Sequence, residues 1–332
     1  MGGRAATVAL VTGGRGFIGA AAARALAEAG FTTRIGARRA RDGETACDLD
    51  SPQEVRAAVE GVSLVVHAAY GDVGAMAGQC RTLLDAMSAA GVENLIHLSS
   101  IAVYGAAQGT VAETTAATGA LDAYGAAKIA CEAAVRAWAE AAADGRRRAV
   151  VLRPGVVYGA GSRFWIDKMA ERIRLGAWGV FGPAGEGPAP LVHVDDVAAL
   201  IAAAAARLAG ETCAGWPAAL ALNVVGPETP SWNAYFTALA ARLGADPPRR
   251  IGGAALALRQ TLALGAKVWR KAGLPGGARA ALAPTRGEMA LFARRATYPT
   301  LAARDFLDFA PRIGLDVGLD RSVGRQETRP DP

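Results

Sequence analysis

Val8-Ala9-Leu10-Val11-Thr12-Gly13-Gly14-Arg15-Gly16-Phe17-Ile18-Gly19 is the stretch that decides the fold. It reads as a strand, a glycine-rich turn and the start of a helix. Gly13 allows the tight turn out of the strand. Gly16 lets the backbone approach a pyrophosphate with no side chain between them, and Gly19 lets the helix lie close to the sheet. The helix N-terminus aims unpaired N–H groups and a partial positive charge at the same point. Gly14, Gly16 and Gly19 also fit the G-x-G-x-x-G spacing, so spacing alone leaves the subtype of dinucleotide fold open.

Outward from this turn, strand-like and helix-like segments alternate. Phe17–Ala29 reads as a helix, and Thr32–Ala37, Leu64–Ala68, Asn94–Ser99 and Ala149–Leu152 read as strands. Helices are expected near Met76–Ala90 and over the Ala-rich Leu121–Ala143. This alternation predicts an α/β fold, a doubly wound parallel (Rossmann) sheet. After Pro154 the pattern changes, with Gly and Pro punctuating the stretch from Gly155 to Pro190, Leu220–Val225 as one more strand, and a helix Asp195–Leu208 returning to the sheet. The expected organisation is a dinucleotide-binding domain over 1–157, completed by about 191–228. A smaller, discontinuous substrate lobe takes 158–190 and 229–320, and a disordered tail 321–332.

The 332 residues are 52% hydrophobic and 20% charged, the composition of a soluble globular protein. The first residues run straight into the glycine turn without the look of a signal peptide, and the apolar run Val197–Ala206 is too short to span a bilayer. Cys47, Cys80, Cys131 and Cys213 are scattered with no C-x-x-C pair, which points to a reducing, cytoplasmic setting and to neither a metal site nor a disulfide framework. The three histidines are equally dispersed. The net charge of +6 comes in small arginine groups. Arg146-Arg147-Arg148 and Arg249-Arg250 read as solvated surface, so no nucleic-acid partner is expected. Ile251–Lys271 reads as an amphipathic lid or packing helix, with membrane contact the lesser alternative.

Tyr124 and Lys128 stand at i and i+4, on one face of the long helix. A phenol titrates near 10, and a neighbouring ammonium would bring it toward neutrality for acid–base work. Ser100, at the end of the preceding strand, offers a hydroxyl to a substrate oxygen.

Taken in order, these motifs resemble those of the extended short-chain dehydrogenase/reductases, the NAD-dependent epimerase/dehydratase family. Thr12–Gly19 resembles the family's TGxxGFIG turn, Asp48-Leu49 its "D-L" element, and Val65–Ala69 its "VVHAAA" strand. Leu98–Gly105 resembles "SSxxVYG", Tyr124–Lys128 is YxxxK, Leu152–Gly159 resembles "LRPxxVYG", and Val192–Ala198 resembles "VHVDDVA". The matches run from residue 7 to about 200, and the remainder resembles the variable substrate lobe only loosely.

The resemblance implies roles. Ser100, Tyr124 and Lys128 would be the catalytic set, with Lys128 also holding a ribose. Gly13, Arg15, Gly16, Phe17, Ile18 and Gly19 would receive the dinucleotide phosphates, and Asp48 and Leu49 the adenine. Ala68 and Ala69 would pass beside the cofactor, and Pro154, Val156 and Val157 would flank the nicotinamide. Tyr104 is expected to be structural or substrate-lining, Asp195 to cap a helix, and His193 to be structural. Phe164, Trp165, Trp178 and Phe181 line a pocket or belong to the core. No metal is implied.

Two departures matter. Members that prefer NAD carry an acid at the end of the second strand, whereas here Ala37 is followed by Arg38 and Arg39, which favours the 2′-phosphate of NADP(H). Nucleotide-sugar enzymes usually carry an Arg before "VHVDD", and Gly185–Leu191 has none. The expected function is an NADP(H)-dependent oxidoreductase acting on a carbonyl or secondary alcohol, with NAD possible as cofactor. A nucleotide-sugar epimerase/dehydratase and a non-catalytic sensor on the same fold are the alternatives. The implied partners are a small-molecule substrate and a second copy of the chain, paired through the helix near Met76–Ala90 and the helix of Tyr124.

Overall fold

Seven strands, all paired in parallel, form the central sheet of the computed structural model, which describes residues 7–117, 119–142, 145–210, 213, 215–271 and 282–324, with backbone alone over 263–271. In chain order they are β1 (Val8–Thr12), β2 (Thr32–Ala37), β3 (Thr45–Ala46), β4 (Leu64–His67), β5 (Asn94–Leu98), β7 (Arg148–Pro154) and β10 (Ala219–Val224). Their spatial order is β10-β7-β5-β4-β1-β2-β3. The order reverses between β1 and β4, where an open α/β sheet forms its ligand crevice at the carboxyl ends of the strands.

Side chains alternate across this sheet, and each parity has its own helical layer. Ala9, Val11, Leu64, Val66, Ile96, Leu98, Val150 and Leu152 pack against α1 (Phe17–Glu28) and α6 (Val194–Ala209). Leu10, Val65, Leu95, Ala149 and Val151 face α2 (Pro52–Val59), α3 (Met76–Ala89) and α4 (Ala123–Glu140). Burial on both faces explains why these strands read as unbroken apolar runs.

The second parity also carries polar residues. Arg153, two places beyond Val151, is buried and makes a two-pronged contact with Glu132 of α4, Nη2 to Oε2 at 2.6 Å and Nε to Oε1 at 2.9 Å. Ser99 donates to the same carboxylate at 2.5 Å. The Tyr104 hydroxyl accepts from Arg153 at 2.8 Å and donates to Asn223 of β10 at 2.7 Å, so Tyr104 is structural.

The chain beyond Pro154 builds a second core. Trp178, Phe181, Trp232, Phe236 and Phe292 are buried in edge and tilted contacts 4.6 to 6.1 Å between ring centres. They draw on α7 (Trp232–Arg242) and α9 (Arg286–Ala293). The strands β8 (Val156–Tyr158) and β9 (Leu191–His193) pair beside it. Trp178 and Phe181 are therefore core, whereas Phe164 is exposed and Trp165 is half-buried against Trp232. On α8 (Gly253–Lys271), Leu256 packs on this core while Leu258 and Leu262 face outward. The basic Lys267, Arg270 and Lys271 have side chains outside the described residues.

Two local expectations are revised. His193, not Asp195, caps α6, its Nδ1 accepting from the Asp195 N–H at 3.2 Å. The last helix, α11 (Leu315–Val323), occupies the start of the expected tail, and residues from 325 onward lie outside the described residues.

Removing one partner of a buried ion pair leaves the other charge uncompensated. Glu132→Ala should cost about 3–5 kcal/mol in denaturant unfolding. A double variant, Glu132→Gln with Arg153→Met, should recover part of that loss. A single variant as stable as the parent would show that the pair does not hold the sheet to α4.

Candidate active site

The turn after β1 is built by close backbone approach. Gly13 has a φ of +68°, and a Cβ there would lie 2.6 Å from the Ala69 Cα at the end of β4. A Cβ on Gly19 would lie 2.2 Å from the Gly13 carbonyl oxygen. Gly19 therefore seats the first turn of α1 on the glycine turn itself, a closer contact than the helix-to-sheet approach its spacing suggests. Gly16 is the N-cap of α1, with no side chain bonded over the helix end and no acid in its first turn. Phe17 and Ile18 are half-buried and pack with Val157 of β8. Thr12 meets His67 Nδ1 at 2.8 Å, which locks the turn to β4.

A cleft of about 590 Å³ opens over this turn. Gly13, Arg15, Gly16, Ala37, Arg38, Arg39, Asp48, Leu49 and Ala69 line it, as do Tyr70 and Gln79. Nine of these positions come from four separated stretches of sequence, which the sheet brings to one rim. β2 ends on Ala37, so Arg38 and Arg39 follow it directly onto that rim. Arg15 pairs with Glu44 at 2.9 Å and donates to the Arg39 carbonyl. The guanidinium holds the Glu44 carboxyl below its ordinary range. Asp48 accepts from the Asp50 N–H at 3.1 Å, and its own N–H donates to Glu54. The fit to a dinucleotide is direct: a side chain at Gly13 or Gly19 would fill the cradle, the capless end of α1 offers donors, and the cleft has both an apolar floor and arginines.

Asp122 caps α4 through the Gly125 N–H at 2.8 Å and so sets Tyr124 in the first turn and Lys128 one turn on. The extended backbone at Ser99 and Ser100 sends successive side chains opposite ways. Ser99 goes inward to Glu132, and Ser100 is close enough to the Tyr124 phenol to pull its pKa down. Ser100 Oγ also accepts from the Ala102 N–H at 3.1 Å. Lys128 is buried, its ammonium 2.5 Å from the Leu98 carbonyl oxygen and 5.8 Å from the Tyr124 ring centre. Burial pushes the phenol above its ordinary value, against the smaller opposing pull of Ser100. The lowering expected from Lys128 is not realised, because burial lowers that ammonium too and Leu98 binds it.

Pro154 lies at the end of β7, and Val156 and Val157 begin β8 just beyond it. Ala68 is tied to Thr12 through its N–H at 3.2 Å. The sequence motifs do not reveal Tyr70, which is 67% exposed on the cleft wall and stands edge-on to Tyr124 at 5.8 Å. Nor do they reveal Glu44, since nothing in its local pattern announces a partner twenty-nine residues away.

Residues 9–213 match the model of the NAD dependent epimerase/dehydratase family. The chain is 31% identical over 234 residues to a 2-alkyl-3-oxoalkanoate reductase of Stenotrophomonas maltophilia strain K279a, covering 62% of this chain and 68% of that protein. Among solved structures it is similar to MoeE5 in complex with UDP-glucuronic acid and NAD, with TM-score 0.71, 24% identity, and 96% and 98% of the two chains covered. It is also similar to the human epimerase family protein SDR39U1 (isoform 2) with NADPH, with TM-score 0.71, 18% identity, and 96% and 99% covered.

Proposed function

The chain belongs to the NAD dependent epimerase/dehydratase family, and we propose that within it the protein is an NADPH-dependent reductase of a carbonyl substrate. The observation that carries this reading is the approach of Ser100, just past the carboxyl end of β5, to the Tyr124 phenol, with Lys128 one turn behind. The 2-alkyl-3-oxoalkanoate reductase supports a 3-oxo acid as the first substrate class to assay.

Gly13, Gly16 and Gly19 with the α1 N-terminus would hold the pyrophosphate, Arg38 and Arg15 the 2′-phosphate, and Asp48 and Leu49 the adenine end. Ala68, Ala69, Pro154, Val156 and Val157 would border the remainder, and Lys128 the ribose hydroxyls. When bound, the cofactor supplies the hydride. Ser100 donates to the substrate oxygen and holds it beside Tyr124. Tyr124 gives its proton to that oxygen as negative charge develops there. Lys128 keeps a positive charge behind the phenolate that remains. A phenol raised by burial is in the acid form at neutral pH, which suits the reductive direction.

We also propose a homodimer through α3 and α4. The outward side of α4 presents Ala126, Ala133 and Ala137 beside Arg136 and Glu140, and α3 presents Arg81 and Asp85. Such a face admits close helix approach with complementary charge. Ala134 is half-buried against the sheet-side core and is not part of it.

Binding should favour NADPH over NADH, and Ala37→Asp with Arg38→Ala should reverse the order. Tenfold tighter NADH binding by the unaltered protein, about 1.4 kcal/mol, would overturn the cofactor assignment.

Tyr124→Phe should lower turnover by about 10²-fold or more with cofactor binding retained. Reduction should be level through neutral pH and fall on the alkaline side, as Lys128, lowered by burial, and Tyr124, raised by it, lose their protons. Alcohol oxidation by the same site should rise over that range. Normal turnover in Tyr124→Phe would assign the proton to another group, and substrate conversion without net NADPH consumption would favour an epimerase.

Ala133→Arg should convert the dimer to monomers in light scattering. A monomeric parent at micromolar concentration would remove the dimer.

A further inference from the structure

Three thiol and imidazole side chains that the proposed reaction does not use meet behind Lys128, and a fourth stands beside them. His67 and His97 occupy equivalent positions on β4 and β5, paired in the sheet and turned toward α3 and α4. They are 4% and 1% exposed, with ring centres 5.2 Å apart. Cys80 of α3 reaches the same place, Cys131 of α4 lies beyond it, and both are buried. The ligand atoms of His67, Cys80 and His97 all lie within 4.8 Å of one another. Cys131 is close enough to Cys80 for the two thiols to influence each other, and it donates to the Met76 carbonyl oxygen at 3.7 Å.

Hydrogen bonding does not account for this cluster. His67 Nδ1 is committed to Thr12, which leaves Nε2 as its ligating position. Neither ring nitrogen of His97 has a hydrogen-bond partner, although the ring is almost wholly buried and one nitrogen must be a donor and the other an acceptor. A ring kept only for packing would be better served by a phenylalanine or leucine.

We propose that His67, His97, Cys80 and Cys131 form a buried tetrahedral site for a zinc-class metal ion. Two imidazoles and two thiolates are a donor set that favours zinc over the oxygen-preferring cations. Zinc bonds of about 2.0–2.3 Å place neighbouring ligand atoms about 3.3–3.8 Å apart, so a small inward movement brings His67, Cys80 and His97 to that spacing. Cys131 completes the shell by turning its thiol from the Met76 carbonyl toward them. The two thiols release their protons to solvent on binding, and two thiolates cancel the charge of the divalent ion beside the Lys128 ammonium. With all four positions filled from the protein, the ion is structural. It pins α3 and α4 to β4 and β5 immediately behind the helix turn of Tyr124 and Lys128.

The test uses the full chain, produced in zinc-supplemented and in cobalt-supplemented medium and purified under reductant without chelator. Elemental analysis should give one metal ion per chain. The cobalt protein should show thiolate-to-cobalt charge transfer and the visible bands of tetrahedral cobalt, and Cys80→Ser and His97→Phe should lose them. X-ray absorption at the zinc edge of the unaltered protein reads the same shell without any substitution and should find two sulfurs and two nitrogens. Metal-free protein from both media, a shell without sulfur, or cobalt bands that survive Cys80→Ser would each overturn the site. None of these outcomes bears on whether the cleft reduces a carbonyl.

Discussion

The two-pronged ion pair between Arg153 and Glu132 is the contact on which the placement of the active helix depends. Both charges are out of water, where an unpaired guanidinium or carboxylate would be far more costly than at the surface. Each is therefore saturated: the carboxylate by Arg153 and Ser99, the guanidinium by Glu132, Tyr104 and the Glu113 carbonyl. The network continues through Asn223 to the Val111 and Pro299 carbonyls. One buried cluster thus fixes α4 against β5, β7 and β10, and with it the axial position of Lys128 and Tyr124. Tyr104 and Arg153, prominent in the recurring sequence motifs, serve the reaction by holding that helix still.

Much of the sheet was legible because its signal is local. Apolar runs of four to six residues bounded by Gly, and helices with three- and four-residue apolar spacing, carry their own identity. The spacing gives β2 residue for residue, and β4 and α3 within one residue at each end. β3 has two residues and no such signal. The aromatic core was illegible for another reason: Trp178 and Phe181 owe their burial to Phe236 and Phe292, which nothing near them in the chain announces.

The site divides the same way. The glycine turn and the Tyr124–Lys128 spacing follow from backbone and helix geometry, so sequence carries them. Ser99 and Ser100 are chemically identical neighbours, and only their opposite directions from an extended backbone separate a buried carboxylate partner from a half-buried hydroxyl near Tyr124. The protonation of Tyr124 was misjudged because sequence shows which charges are near in the chain but not how much water has been removed. The four ligands behind Lys128 looked unrelated, since sheet pairing and the α3–α4 contact bring them together across sixty-four residues.

The Arg15–Glu44 pair gives the cleft an internal anion. In the free protein Glu44 already occupies the guanidinium, and it also accepts from the Arg41 N–H at 2.8 Å, so it closes the loop after β2 on itself. A phosphate arriving at Arg15 exchanges one ion pair for another, and the gain is the difference between them rather than the full attraction. That exchange would free Glu44 from Arg15 and remove one of the contacts that close the loop carrying Arg38 and Arg39. Ligand affinity and loop order are consequently two sides of one equilibrium, in which Glu44 is the competitor built into the chain.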